Sequence, residues 1–136
     1  MVDRKIVNEW LTKADDDFEF ARINLEEEKP FFAQICFHFH QAAEKYFKAY
    51  IIANELEFRR IHDLVWLAKH CRMQDSSFEY VIEDSEYLNT FYIETRYPVQ
   101  WPTNFSKNEA TNAFHAAESI RNFILKKLIQ FTSKNS

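Results

Sequence analysis

Apolar and polar residues follow one another at the three-and-four step of helices along almost the whole chain. From about Asp3 to Glu28, Ile6, Trp10, Ala14, Phe18, Ala21 and Leu25 recur on one face, with Asp15, Asp16 and Glu19 mostly away from it. Pro30 suits the first turn of the next helix. Phe32, Cys36, Phe39, Ala43, Phe47 and Tyr50 predict a second helix over about Phe31 to Asn54, with Gln41, Lys45 and Lys48 on its other side. A short third helix follows from about His62 to Met73, turning Leu64, Leu67, Ala68 and Cys71 inward. The fourth spans about Ser77 to Thr95 and carries Phe78, Val81, Ile82, Leu88 and Phe91 on its face. Ser76 and Glu79 have the S-x-x-E spacing of a capping box, which satisfies free backbone donors at a helix start. The stretch from Arg96 to Ser106 holds Pro98 and Pro102 and reads as an ordered loop. Ser106 and Glu109 repeat the capping spacing, and a last helix runs to about Phe131 with Ala110, Ala113, Phe114, Ala117, Ile120, Ile124 and Leu128 inward.

Four long helices and one short one, joined by short loops, predict an all-α, antiparallel up-and-down bundle forming a single domain over residues 1–136. Alanines on the second and fifth helices allow close helix approach. Composition agrees: 46% hydrophobic and 17% aromatic residues are too many for a disordered chain. Glycine is absent, which removes the P-loop, the dinucleotide-binding turn and the nucleophile elbow in their usual forms, because each needs glycine at fixed positions. The net charge of −4 does not favour a general nucleic-acid binder, though local basic patches remain open. Cys36 and Cys71 form no C-x-x-C pair and read as reduced thiols in or near the core. MVDRKIVNEW has no apolar signal core, and no run reaches membrane-spanning length, so the expectation is a cytoplasmic protein.

Three constellations carry candidate chemistry. On the second helix, His40, Glu44 and Lys48 are four apart and form one stripe beside the apolar face, with Lys45 adjacent. Such a stripe lines a polar groove or a dimer contact, or it is a solvated flank with ordinary ion pairs; spacing alone favours the flank. His38 and His40 are two apart and point to different sides, so they are poor joint metal ligands. Next, Arg59 and Arg60 precede a helix start at His62 and Asp63, where backbone donors favour an anion. The alternative is that His62 or Asp63 caps the helix while the arginines are solvated, and spacing favours it. Last, Tyr92, Arg96 and Tyr97 gather at a helix end beside Pro98. Arginine and tyrosine together can hold a phosphate and stack a base, or anchor an interface; equally, the tyrosines can pack on the bundle end while Arg96 caps carbonyls. No spacing selects a catalytic triad, a metal site or a cofactor, and the acidic run Asp15, Asp16 and Asp17 reads as a mostly solvated face.

These motifs together resemble the HEPN family, small prokaryotic helical proteins often encoded beside a minimal nucleotidyltransferase. Trp10-Leu11-Thr12-Lys13-Ala14-Asp15-Asp16-Asp17-Phe18 is similar to the family's opening helix, and His40-Gln41-Ala42-Ala43-Glu44-Lys45-Tyr46-Phe47-Lys48-Ala49 to its second-helix signature. His62-Asp63-Leu64 with Leu67, and Thr95-Arg96-Tyr97-Pro98, match later motifs, so the resemblance covers nearly the whole chain. It implies a helical bundle and commonly a homodimer. Many members are metal-independent endoribonucleases or toxins, with an arginine and a histidine four to six residues later at the dimer interface. Here Arg96 is followed by Tyr97-Pro98-Val99-Gln100-Trp101-Pro102, with no histidine. None of His38, His40, His62, His70 and His115 has an arginine at that spacing upstream.

The expected function is therefore a binding module: a homodimer that partners a minimal nucleotidyltransferase and binds nucleotide or RNA phosphate, in a toxin–antitoxin setting. The alternative is a degenerate HEPN endoribonuclease in which Arg96 works with His62 or His40. No cofactor is expected.

Overall fold

The computed structural model describes residues 2–96 and 105–132, with the side chains of residues 93–96 outside that description. The described residues form six α-helices and no strand: α1 (Arg4–Glu26), α2 (Phe32–Ala53), α3 (Leu64–Gln74), α4 (Ile82–Arg96), α5 (Lys107–Lys127) and α6 (Ile129–Thr132). A 3₁₀ turn over Ser76–Val81 leads into α4. The all-α bundle is as the periodicity predicts.

Helix α1 starts at Asp3, whose carboxylate accepts from Lys5 N at 2.9 Å. Its buried positions are Val7, Leu11, Ala14, Phe18, Ala21 and Leu25. The periodicity places Ile6 and Trp10 on this face, but Ile6 is 45% exposed and Trp10 is only half-buried. Counting back from Ala14 by three and then four gives Leu11 and Val7; counting by four twice gives Trp10 and Ile6. The neighbours choose the first series, and Trp10 packs sideways on Phe58 with ring centroids 5.8 Å apart.

Helix α2 is the centre of the bundle and touches α1, α3, α4 and α5. It is buried nearly all round, including Ile35, Ala42, Tyr46, Ala49 and Ile51 beyond the expected stripe. Small residues make this possible: Ala42, Ala43 and Ala49 on α2, with Ala110, Ala113, Ala116 and Ala117 on α5, are all buried where the helices pack. Cys36 and Cys71 are free thiols in this core. Burial pushes the Cys36 thiol up to about 12 and drives Cys71 upward as well.

Local chemistry sets the ends. Both α1 and α2 close in Schellman motifs built on non-glycine residues. Glu28 (φ 55°) donates to Leu25 O and Lys29 to Asn24 O; Glu55 (φ 54°) donates to Ile52 O and Leu56 to Ile51 O. Ser106 and Glu109 form the expected capping box at α5. The box expected at Ser76 and Glu79 does not form. Asp75 is the cap, accepting from Ser77 N at 3.0 Å, and Glu79 instead pairs with Arg72 at 2.5 Å. The last long helix ends at Lys127, and the short α6 is tied back to α1 by Arg4 donating to Gln130 O and Asn8 to Phe131 O, each at 3.0 Å. Among the described residues no helix is long and apolar enough to cross a membrane.

Candidate functional site

The stripe His40–Glu44–Lys48 is not a solvated flank. The segment 54–63 and helix α4 close over it, and all three side chains are buried. Charges removed from water need partners, and they have them. Lys48 Nζ donates to Glu44 Oε2 at 2.8 Å and lies 5.8 Å from the centre of the Phe58 ring. The other carboxylate oxygen, Glu44 Oε1, lies 2.9 Å from Nδ1 of His62. Glu44 thus joins a buried ammonium to the His62 imidazole, whose side chain is 45% exposed. In the neutral ring the proton sits on Nδ1, toward the carboxylate, and Nε2 is left as an acceptor.

His40 works differently. Burial lowers its pKa below the ordinary imidazole value and favours the neutral ring. Its Nε2 stands 3.2 Å from the backbone carbonyl of His62, which can only accept, so in the neutral ring Nε2 donates there, and Nδ1, 3.1 Å from the Gln41 side-chain amide, is left to accept from that amide. His40 therefore anchors the segment that presents His62.

Tyr92, on α4, completes the arrangement. Its ring stacks on His62 with centroids 5.0 Å apart and planes at 16°, and it lies 5.1 Å from His40. A cleft of about 320 Å³ opens here, lined by Ile61, His62, Asp63, Asn89 and Tyr92. Asp63 and Asn89 also build the start of α3. Asp63 Oδ1 accepts from Val65 N and Trp66 N, and from Asn89 Nδ2 at 3.0 Å, while Asn89 Oδ1 accepts from Leu64 N at 2.9 Å. The first three backbone donors of α3 are thereby occupied, as the capping alternative has it.

The structure thus brings together His40, Glu44, Lys48, His62, Asp63 and Tyr92 from three separate stretches of sequence. Lys45 is not part of this group: it pairs with Asp17 on α1. Burial raises the Asp17 carboxyl, but hydrogen bonds from His38 and Lys45 outweigh it and hold the group below its ordinary value. Asp15 accepts from the Tyr46 hydroxyl and lies 3.2 Å from Arg121 Nε. The acidic run is therefore divided, with only Asp16 exposed, where a mostly solvated face was expected. Arg59 and Arg60 are exposed; Arg59 pairs with Glu57 at 3.0 Å and lies over Trp66. The Arg96 side chain, Tyr97, Pro98, Trp101 and Pro102 lie outside the described residues, and with them the expected ordered loop. Sequence reasoning missed Asn89 and Phe58. Asn89 had one available signal, its place one helical turn before Tyr92.

Among the described residues, no three His, Cys, Asp or Glu side chains gather where they would hold a metal ion. Compared with known families, the chain matches the HEPN domain over residues 7–128. No curated protein matches it. Among solved structures it is similar to TT1696 from Thermus thermophilus, with a TM-score of 0.80 and 27% identity over 90% of this chain and 98% of that one. It also shares its fold with ST0689, described as an archaeal HEPN homologue, with a TM-score of 0.71 and 20% identity over 90% and 97%. The chain belongs to the HEPN domain family.

Proposed function

We propose that this protein is a binding module: a helical homodimer that associates with a minimal nucleotidyltransferase, in a toxin–antitoxin setting, and holds nucleotide or RNA phosphate at the cleft beside His62. The observation that carries the reading is the chain from Lys48 through Glu44 to His62, which runs from the core to a half-exposed imidazole at a cleft. A buried ion pair costs desolvation energy and is seldom kept for stability alone. Here it fixes the orientation of one ring at the surface, which is what ligand sites require. The HEPN resemblance supports the partner and the dimer. Arg59, Arg60 and Arg96 are the cations proposed to meet a phosphate, and Arg96 is one helical turn beyond Tyr92 in the sequence. Co-expression with a minimal nucleotidyltransferase tests the reading, with size-exclusion and light scattering for mass. A dimer that co-purifies with that protein or binds a nucleotide is the expected result. A monomer that binds neither would sink it.

One observation favours a second reading, a degenerate endoribonuclease. His40 and His62 both lie against Tyr92, and Glu44 orients His62 as a carboxylate orients a general base. RNA cleavage lost in both Arg96→Ala and His62→Ala would establish it; absence of cleavage by the wild-type dimer would dismiss it.

A further inference from the structure

His62 stands at the solvent end of a run of rings. Phe37 and His40 have centroids 6.5 Å apart and planes at 10°; His40 and Tyr92 follow at 5.1 Å and 31°, then Tyr92 and His62 at 5.0 Å and 16°. The His62 ring is held on two sides, one face against Tyr92 and the Nδ1 edge against Glu44. Its side chain is still 45% exposed, so surface remains beyond these two contacts. Among the described residues Tyr92 is the one ring that packs on His62. The adjoining cleft, about 320 Å³, is at the lower end of small-ligand sites, which run from roughly 300 to 1,000 Å³.

We propose that the outer face of His62 is a stacking platform for one nucleobase, so that the cleft recognises the base of a nucleotide or of an unpaired RNA residue and not its phosphate alone. The inference rests on the nucleotide-binding reading above and adds the chemical group that is read. A flat ring fixed in advance loses little freedom when a second ring lands on it. A hydrogen-bonding or charge role does not need the parallel Tyr92 behind the ring. Stacking on a protein ring is tolerant of base identity, and replacing such a ring by alanine weakens binding by roughly tenfold.

Calorimetric titration of the full chain with AMP, adenosine and ribose 5-phosphate tests this, on wild type, His62→Phe and His62→Ala. The His62 side chain is half-exposed, and melting curves verify that each variant is folded. Stacking predicts that AMP and adenosine bind while ribose 5-phosphate binds much more weakly. It also predicts that His62→Ala loses roughly tenfold in AMP affinity and that His62→Phe, which keeps a flat ring but gives up the Glu44 hydrogen bond, loses less. Equal binding of AMP and ribose 5-phosphate, or a His62→Phe loss as large as that of His62→Ala, would overturn the platform and leave the phosphate-binding reading standing. If neither AMP nor a single-stranded oligoadenylate binds wild type, both fail.

Discussion

Glu44 and Lys48 stand one turn apart on α2, with Nζ 2.8 Å from Oε2 and both side chains only 6% exposed. Surface pairs at this spacing are common and worth a few tenths of a kcal/mol. This pair differs because each charge has given up water and depends on the other.

Removing one partner should therefore cost far more than the pair adds. Lys48→Met leaves Glu44 buried with only the hydrogen bond from His62, and is expected to lower the unfolding free energy by about 3–5 kcal/mol. Glu44→Leu combined with Lys48→Met removes both charges and should lose less than Lys48→Met alone. Urea midpoints read the difference. A Lys48→Met loss below about 1 kcal/mol would mean that the pair behaves as a surface one.

Asp75 gives a pH dependence with a defined sign. Hydrogen bonds from Lys127 and Ser77 lower its carboxyl from 3.8 to about 2. A group with a depressed folded pKa adds stability that is fully present above its unfolded value and is lost as pH falls through the folded one. The contribution of Asp75 is thus intact above about pH 4 and fades toward about 2. Asparagine is an equally good cap, so Asp75→Asn removes the charge and keeps the capping oxygen. The gap in Tm between wild type and this variant should be visible at neutral pH and close across that window. A constant gap would place the effect in packing, not in charge.

Cys36 and Cys71 are both fully buried, and burial holds both thiols protonated. At about pH 8, where an ordinary thiol begins to ionise, the folded protein should react slowly with a thiol reagent such as dithiobis(nitrobenzoate). Denaturant should release two equivalents at once. Fast labelling of the native chain would contradict the burial.

What the sequence revealed was governed by range. The capping box at Ser106 and Glu109 is a local device and could be read directly. The same spacing at Ser76 and Glu79 misled, because Asp75 is the better-placed acceptor and Arg72, brought close by α3, draws Glu79 away. The inward register of α1 was ambiguous between Ile6–Trp10 and Val7–Leu11, since both series reach Ala14 by helical steps. Residue types on the His40–Glu44–Lys48 stripe were legible, but their burial was not. Their cover is the aperiodic segment 54–63, and nothing in its pattern says that it folds across α2. The meeting of His62 with Tyr92 is a thirty-residue contact that only the bundle's packing creates.

The two left-handed glutamates acquire a different meaning in a chain with no glycine. Glu28 and Glu55 occupy positions where a side chain crowds the following carbonyl, at a cost of roughly 1–2 kcal/mol each. The hydrogen bonds that reverse the chain at each corner hold that conformation against its own preference. Glu55 lies near the start of the segment that carries His62, so the ring at the cleft follows a residue held in a disfavoured backbone conformation. The fold thus keeps two corners at which the backbone is held in a disfavoured conformation, and one of them begins the stretch that leads to the ring proposed to meet a ligand.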